Sequence, residues 1–524
     1  MRIFPQKKGN LISLKGWIMK KFNNSILYYI EKAYLNNPEK IAIVTKNSLL
    51  TYAEIWDKAC DVSAYLQNLN ISSGSVIALI QNDIENALPT IFGILHAGCI
   101  YTPISPDAPK SRIDYMLNVG KVAHIIHDIK AYDDFDINLP STYIEDIPKY
   151  DNKISPKEFP IAYIMFTSGS TGDPKGVAIT HLNLKSIYEA WESEYKLLEI
   201  DSHLQMANLT FDVFAGDWLR SLCSGATLYA IEDILNASSD EVIDFINKYK
   251  IQCAEFTPMR IRQIYKTVLE RDEKLNSFKL LICGSDTMRV REFKTIQSLI
   301  DPSCRLIFSY GTTETTIDSS YFEPDESELR KLNDDLILPI GKPFNGTDFK
   351  IFAKNGVEIT DNSIGELYIG GMGVGAGYII HNSKTAGKYK RRLPLSSSSR
   401  WYKTGDLASY DGKYYWLHGR ADSSIKINEK FVDLPDIEAI IRAYEGIEDC
   451  AVAAMHNGID LELKALVTPV DDSQICVNSL ANHISMYSSV PINNENIFNI
   501  RKLPMTFSGK IDRNEVKKLL NQLN

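Results

Sequence analysis

Residues 165–180 read "MFTSGSTGDPKGVAIT", and their types suit phosphate chemistry. Ser168, Ser170 and Thr171 can donate hydrogen bonds, Gly169 and Gly172 allow a backbone to approach an anion closely, and Lys175 supplies a point charge. The spacing is not the G-x-x-x-x-G-K-[ST] of a P-loop. The strand-like run "AYIMFTS" leads into the loop, so its donors are expected at the C-terminal edge of a sheet, where α/β proteins bind ligands. Two other signals carry less. "GMGVGA" (371–376) fits a loose dinucleotide pattern but no helical pattern follows it. His124 and His127 stand three apart on a predicted strand and point to opposite faces, which argues against shared metal ligation.

The chain that must position such a loop has 524 residues, enough for two to four domains. It is 44% hydrophobic and 23% charged, with a net charge of −9, a balance that argues against nucleic-acid or anionic-membrane partners. Eight cysteines form no C-x-x-C pair, which fits a reducing, cytoplasmic setting. No apolar run reaches the roughly 18 residues of a membrane span. Residues 1–20 are basic and interrupted by lysines, so they read as an extension or as an upstream start before Met19.

"KIAIV" (40–44), "SVIALI" (75–80) and "AYIMFTS" read as buried parallel strands, and 52–69 and 85–98 as helices between them. Past residue 345 the chain becomes rich in Gly and Ser, the mark of a β-rich subdomain with surface loops. After "GRAD" (419–422) an α+β pattern begins: helix 434–444, strands "CAVAAMH" and "LKALVTPV", and helices near 475–487 and 512–523. The expected fold class is therefore α/β. A large domain, 21–421, has parallel sheets and a β-rich part at about 345–421. A hinge at Asp422 joins it to a small α+β domain, 422–524.

"YIMFTSGSTGDPKGVA" resembles the signature of the adenylate-forming superfamily. "LTYAEI" (50–55), "LHAGCIYTPIS" (95–105), "FD" (211–212), "YGTTETT" (310–316), "GELYIGGMGVGAGY" (365–378), "YKTGDL" (402–407), "GRADSSIKI" (419–427) and "LPMTFSGKIDR" (503–513) follow in that family's order. The forms at 95–105 and 503–513 resemble amino-acid adenylation domains of nonribosomal peptide synthetases more than acyl-CoA synthetases.

The resemblance implies two half-reactions: a carboxylate attacks the α-phosphate of ATP, releasing pyrophosphate, and a thiol then displaces AMP. Bringing two anions together demands electrostatic and positional catalysis. Lys510 is the implied catalytic residue, touching both carboxylate and α-phosphate. Thr167, Ser168, Gly169, Ser170, Thr171, Gly172 and Lys175 would hold the β,γ-phosphates. Gly284, Ser285, Tyr310, Gly311, Thr312 and Thr313 would line the adenine and α-phosphate, with Tyr310 stacked on the base. Asp406 and Arg420 would bind the ribose, and Glu314 would bind Mg²⁺, a hard cation that wants carboxylate and phosphate oxygens.

By the same resemblance, Asp212 matches the residue that binds an α-ammonium group. Val213, Gly216, Glu255, Leu281, Cys283, Ser309, Ile317 and Asp318 would complete the substrate pocket. Glu255 lies in the apolar run "IQCAEFTP", where an ionised group needs a partner. Two carboxylates at the far end of a mostly apolar slot want a cation. The pattern resembles ornithine-activating domains, so the expected substrate is a basic α-amino acid: ornithine first, lysine second, a hydroxylated or acylated ornithine third. The competing reading pairs one acid with a protein cation such as Arg260 or Arg262.

Some positions depart from the family. Glu429 and Pro435 replace glycines, Leu417 replaces an aromatic residue and Phe308 an asparagine, which bears on thioester formation more than on adenylation. The sequence runs eleven residues past Arg513 and holds no G-G-x-S carrier motif. Transfer in trans to the phosphopantetheine of a separate carrier protein is therefore expected. The alternatives are a non-carrier acceptor, an acyl-CoA synthetase, or a degenerate ATP-binding module.

Overall fold

A computed structural model of the chain describes residues 24–129, 139–151, 155–167, 174–231, 237–380, 385, 387–390, 400–421, 424–427, 430–457, 460–470, 475–488, 491–506 and 511–523. Ser168, Gly169, Ser170, Thr171, Gly172, Asp422, Glu429 and Lys510 lie outside them. Two compact units form: residues 1–349 with 369–402, and residues 350–368 with 403–524.

The first unit is built on two sheets. In one, the strands starting at Ile161, Ile100, Val76, Val122 and Ser141 run parallel, and Lys175–Thr180 and Gly377–Tyr378 add antiparallel at one edge. In the other, strands starting at Arg305, Leu280, Cys253, Ser202, Thr227 and Ile41 run parallel, closed at both ends by antiparallel strands. Parallel strands are covered on both faces, which is why "VIALI" (76–80) and "LLIC" (280–283) are buried at every position. The helices between them start on capping boxes, as at Thr51 with Glu54 and Ser238 with Glu241.

The elements that carry the site are, in chain order, strand β1 (Ile161–Thr167), strand β2 (Lys175–Thr180), helix α1 (Asp212–Leu222), and strands β3 (Cys253–Phe256), β4 (Leu280–Cys283) and β5 (Arg305–Tyr310). β1 and β2 pair antiparallel, with Thr167 opposite Lys175. The serine–glycine loop therefore joins two neighbouring strands of a hairpin rather than a strand and a helix.

In the second unit, Ile447–Asn457 pairs antiparallel with Asp460–Pro469, which pairs parallel with Ile497–Asn499. Alternation sends Cys450 and Val452 to one face, with helices 434–442 and 477–487, and Ala451, Ala453 and Met455 to the other, with helix 513–522. One buried acid ties these parts together. Glu438, 2% exposed, accepts from Val452 N at 2.7 Å and from both guanidinium nitrogens of Arg513, at 2.9 Å for Nη2. Met505 and Ile511 form an antiparallel bridge, and Asp512 caps the last helix through Asn514 N and Glu515 N.

Glu438→Ala strands a buried N–H and frees Arg513, so unfolding free energy should fall by about 1–3 kcal/mol. Urea denaturation of the full chain measures this, and an unchanged midpoint would refute the role of the pair.

Candidate active site

α1 begins at Asp212, after Phe211, so this carboxylate stands at the positive end of the helix dipole. Burial first, and Asp212 after it, raises the pKa of the Tyr163 hydroxyl, which places Asp212 near β1. Residues four apart share a helix face, so Asp212, Gly216 and Arg220 form one line along α1. Arg220 is 1% exposed.

At the far end of that line stands a cluster of charges. Arg220 Nη2 donates to Glu255 Oε2 on β3 at 2.5 Å and to Asp217 Oδ1 at 3.1 Å, and Nη1 lies 3.9 Å from Asp318 Oδ2. Its Cζ sits 4.7 Å from the Trp191 ring. Asp217 Oδ2 accepts from Met206 N at 3.1 Å and Ala207 N at 3.3 Å. Burial disfavours the guanidinium charge, but Glu255, Asp217 and Asp318 outweigh it and hold the pKa above its ordinary value. Burial pushes Asp217 up to about 7, against the pull of Arg220. Burial, then repulsion from Glu255, pushes Asp318 up to about 8.

The cation that faces Glu255 is thus a residue of this chain, and it is Arg220. Arg260 instead donates to Ala237 O and Gln263, and Arg262 to Glu292. Sequence reading missed Arg220. The signal was present: an arginine at the second i+4 step from Asp212, in a chain whose pocket positions include two acids.

Three more of the expected pocket positions lie on neighbouring strands. Leu281 and Cys283 are buried on β4, and Ser309 is buried on β5. A Cβ at Gly284 would sit 2.4 Å from Ser309 Oγ and 3.3 Å from Glu255 Oε1, so only glycine lets these groups close in. Val213 is partly buried in the first turn of α1.

Asp318 is aimed by a tight loop from Tyr310 to Ser319. Thr316 and Ile317 have φ of 64° and 69°, rare for β-branched residues. Ser319 N donates to Tyr310 O at 2.7 Å, and Thr315 Oγ1 bonds Thr312 Oγ1 at 3.0 Å and Ser319 Oγ at 2.8 Å. Thr313 begins the 3-10 turn that presents Glu314. Glu314 Oε1 accepts from Tyr378 OH at 2.5 Å, and Lys175 Nζ lies 6.0 Å from the centre of the Tyr378 ring. A half-buried carboxylate near a lysine, with Thr167 at the same hairpin mouth, fits a hard divalent cation beside phosphate. Among the described residues no three His, Cys, Asp or Glu side chains converge to hold a metal alone.

In the second unit, Arg420 Nη1 donates to Asp406 Oδ1 at 3.0 Å, and Asp406 N donates to Thr404 Oγ1 at 2.9 Å. Leu417 pairs with Ala408, and Phe308, in the first unit, is buried against Phe322 across the strand register.

The AMP-binding enzyme family model matches residues 30–379. The chain is 30% identical to Bacitracin synthase 2 of Bacillus licheniformis over 97% of its own length and 20% of that protein. It is 26% identical to Zwittermicin A synthase ZmaJ of Bacillus cereus over 92% of its own length and 93% of that protein. The chain spans about a fifth or less of the large synthases it matches. A solved four-domain nonribosomal peptide synthetase, bound to AMP and glycine, overlays with a TM-score of 0.80 at 22% identity, covering 93% of this chain and 36% of that one. This likeness shows the adenylate-forming fold.

A Cβ at Gly311 would lie 1.8 Å from Ile317 O. Gly311→Ala should therefore lower stability by about 3 kcal/mol as the loop is forced open. Thermal unfolding tests this; a variant as stable as the parent would show that the loop yields freely.

Proposed function

We propose that this chain, which belongs to the AMP-binding enzyme family and is an ATP-dependent, AMP-forming ligase, activates a basic α-amino acid, ornithine first and lysine second. The observation that carries this reading is the imbalance at the pocket base: three buried carboxylates, Asp217, Glu255 and Asp318, share the single guanidinium of Arg220. A substrate side chain bearing one ammonium group brings the missing charge. Asp212 would hold the α-ammonium group, and Leu281, Cys283 and Ile317 would line the slot between.

In this reading the substrate carboxylate oxygen bonds to the α-phosphorus of ATP, the bond to the bridging oxygen of the β-phosphate breaks, and pyrophosphate leaves. Lys510 brings the two anions together and neutralises them. Lys175 and the hydroxyls of the β1–β2 loop hold the departing phosphates. Thr312 and Thr313 face the α-phosphate, Tyr310 the adenine, and Asp406 and Arg420 the ribose. Mg²⁺ supplies positive charge to the phosphate oxygens, and Glu314, oriented by Tyr378, would hold it. A hinge at Asp422 would then exchange Lys510 for the phosphopantetheine thiol of a separate carrier protein.

ATP–pyrophosphate exchange over the amino-acid panel is expected to peak with ornithine or lysine and to vanish in Lys510→Ala. Strong exchange with leucine or phenylalanine and none with basic substrates would overturn the substrate reading. The pH profile is a second check. In the free pocket Asp318 holds its proton up to about 8, and a cationic side chain needs the carboxylate form. Binding then releases a proton, so kcat/KM for the basic substrate should rise up to tenfold per pH unit between about 6 and 8 and then level. A flat profile over that range would contradict the contact with Asp318.

A further inference from the structure

α1 carries Gly216 one turn before Arg220, and the missing side chain is the space the guanidinium occupies. A Cβ at 216 would sit 3.1 Å from both Nη1 and Nη2. The guanidinium is held on three sides: by the Trp191 ring at 4.7 Å, by Asp217, itself fastened to two backbone N–H groups, and by Glu255 at 2.5 Å. Among the described residues Nη1 makes no hydrogen bond, and neither does Asp318 Oδ2, 3.9 Å away, though both are buried. A buried acceptor left without a partner is unfavourable, and a substrate ammonium group, which only donates, can supply that partner to Asp318 Oδ2 but not to Nη1.

Building on the basic-substrate reading above, we propose that Arg220 is a specificity-determining residue: a counter-cation that occupies Glu255 and leaves Asp318 as the carboxylate offered to substrate. The pocket then selects a compact side-chain amine and rejects a guanidine. Glu255 already carries one planar guanidinium, and a second, from arginine, has neither the room over Gly216 nor a second free carboxylate to meet. Acidic side chains are repelled by Glu255 and Asp318. Arg220 acts through those two carboxylates, not on the reacting atoms, so it is a positioning residue and its signature is selectivity rather than turnover.

The test is pyrophosphate exchange with ornithine, lysine and arginine, read as the ratio of kcat/KM for the best amine substrate to that for arginine. In Arg220→Met the vacated volume and the unpaired Glu255 suit the substrate's own guanidinium. The ratio should fall at least about tenfold, the scale of losing one buried charge partner, and millimolar guanidinium ion should restore the amine substrate. The double variant Arg220→Met/Glu255→Leu removes Arg220 with its nearest carboxylate, which perturbs folding less than stranding Glu255 alone, and Asp217 keeps its two backbone donors. It should keep the amine preference within about threefold, because Asp318 remains. If Arg220→Met does not fold, the double variant decides alone: a retained preference supports the inference and a lost one overturns it. Basic-substrate exchange in the unaltered enzyme with an unchanged ratio in a folded Arg220→Met refutes the role of Arg220 alone. No exchange with any basic amino acid in the unaltered enzyme sinks the substrate reading itself, and this inference with it.

Discussion

A guanidinium cannot be buried without acids, and buried acids that lack a cation must hold protons instead. This mutual constraint organises the pocket end of the first unit. Arg220 reaches from α1, Glu255 from β3 and Asp318 from the loop after β5, so one charge cluster ties three separate stretches of sequence. Such a cluster is not a strong source of net stability, because desolvation offsets most of the attraction. What it does is remove alternatives: any arrangement that separates Arg220 from these acids leaves a guanidinium charge alone in an apolar interior.

The loop from Tyr310 to Ser319 works by different means. There the groups are half-buried, and position comes from hydroxyl chains and backbone strain. Thr312, Thr315 and Ser319 form a short relay, and two left-handed β-branched residues follow Glu314. Strain of this kind persists only where the surroundings over-determine it. The loop therefore sets Glu314 and Asp318 at once, one toward Tyr378 and one toward Arg220, across the three residues between them.

Much of this was legible beforehand. Continuous apolar runs announced the parallel strands, and the predicted helices and strands of the second unit match the observed ones to within a few residues. Motif order pointed to residues on α1, β3, β4 and β5, and Glu255 on β3 does meet α1 through Arg220. Two things escaped. The β1–β2 hairpin was hidden because "KGVAIT" carries no turn signal of its own beyond the loop before it. Arg220 was hidden because sequence shows which residues need a partner, not which residue is near. Glu255 demanded a cation, and only the fold chose between Arg220, Arg260 and Arg262.

The space over Gly216 has a consequence for anyone reshaping this pocket. Positions 216 and 220 compete for one volume, so they are a single degree of freedom. A library that varies residue 216 while keeping Arg220 must move the guanidinium at every step, since even alanine brings its Cβ to 3.1 Å from two of its nitrogens. New specificities that fill the floor of the slot lie on paths where both residues, and Glu255 with them, change in the same step.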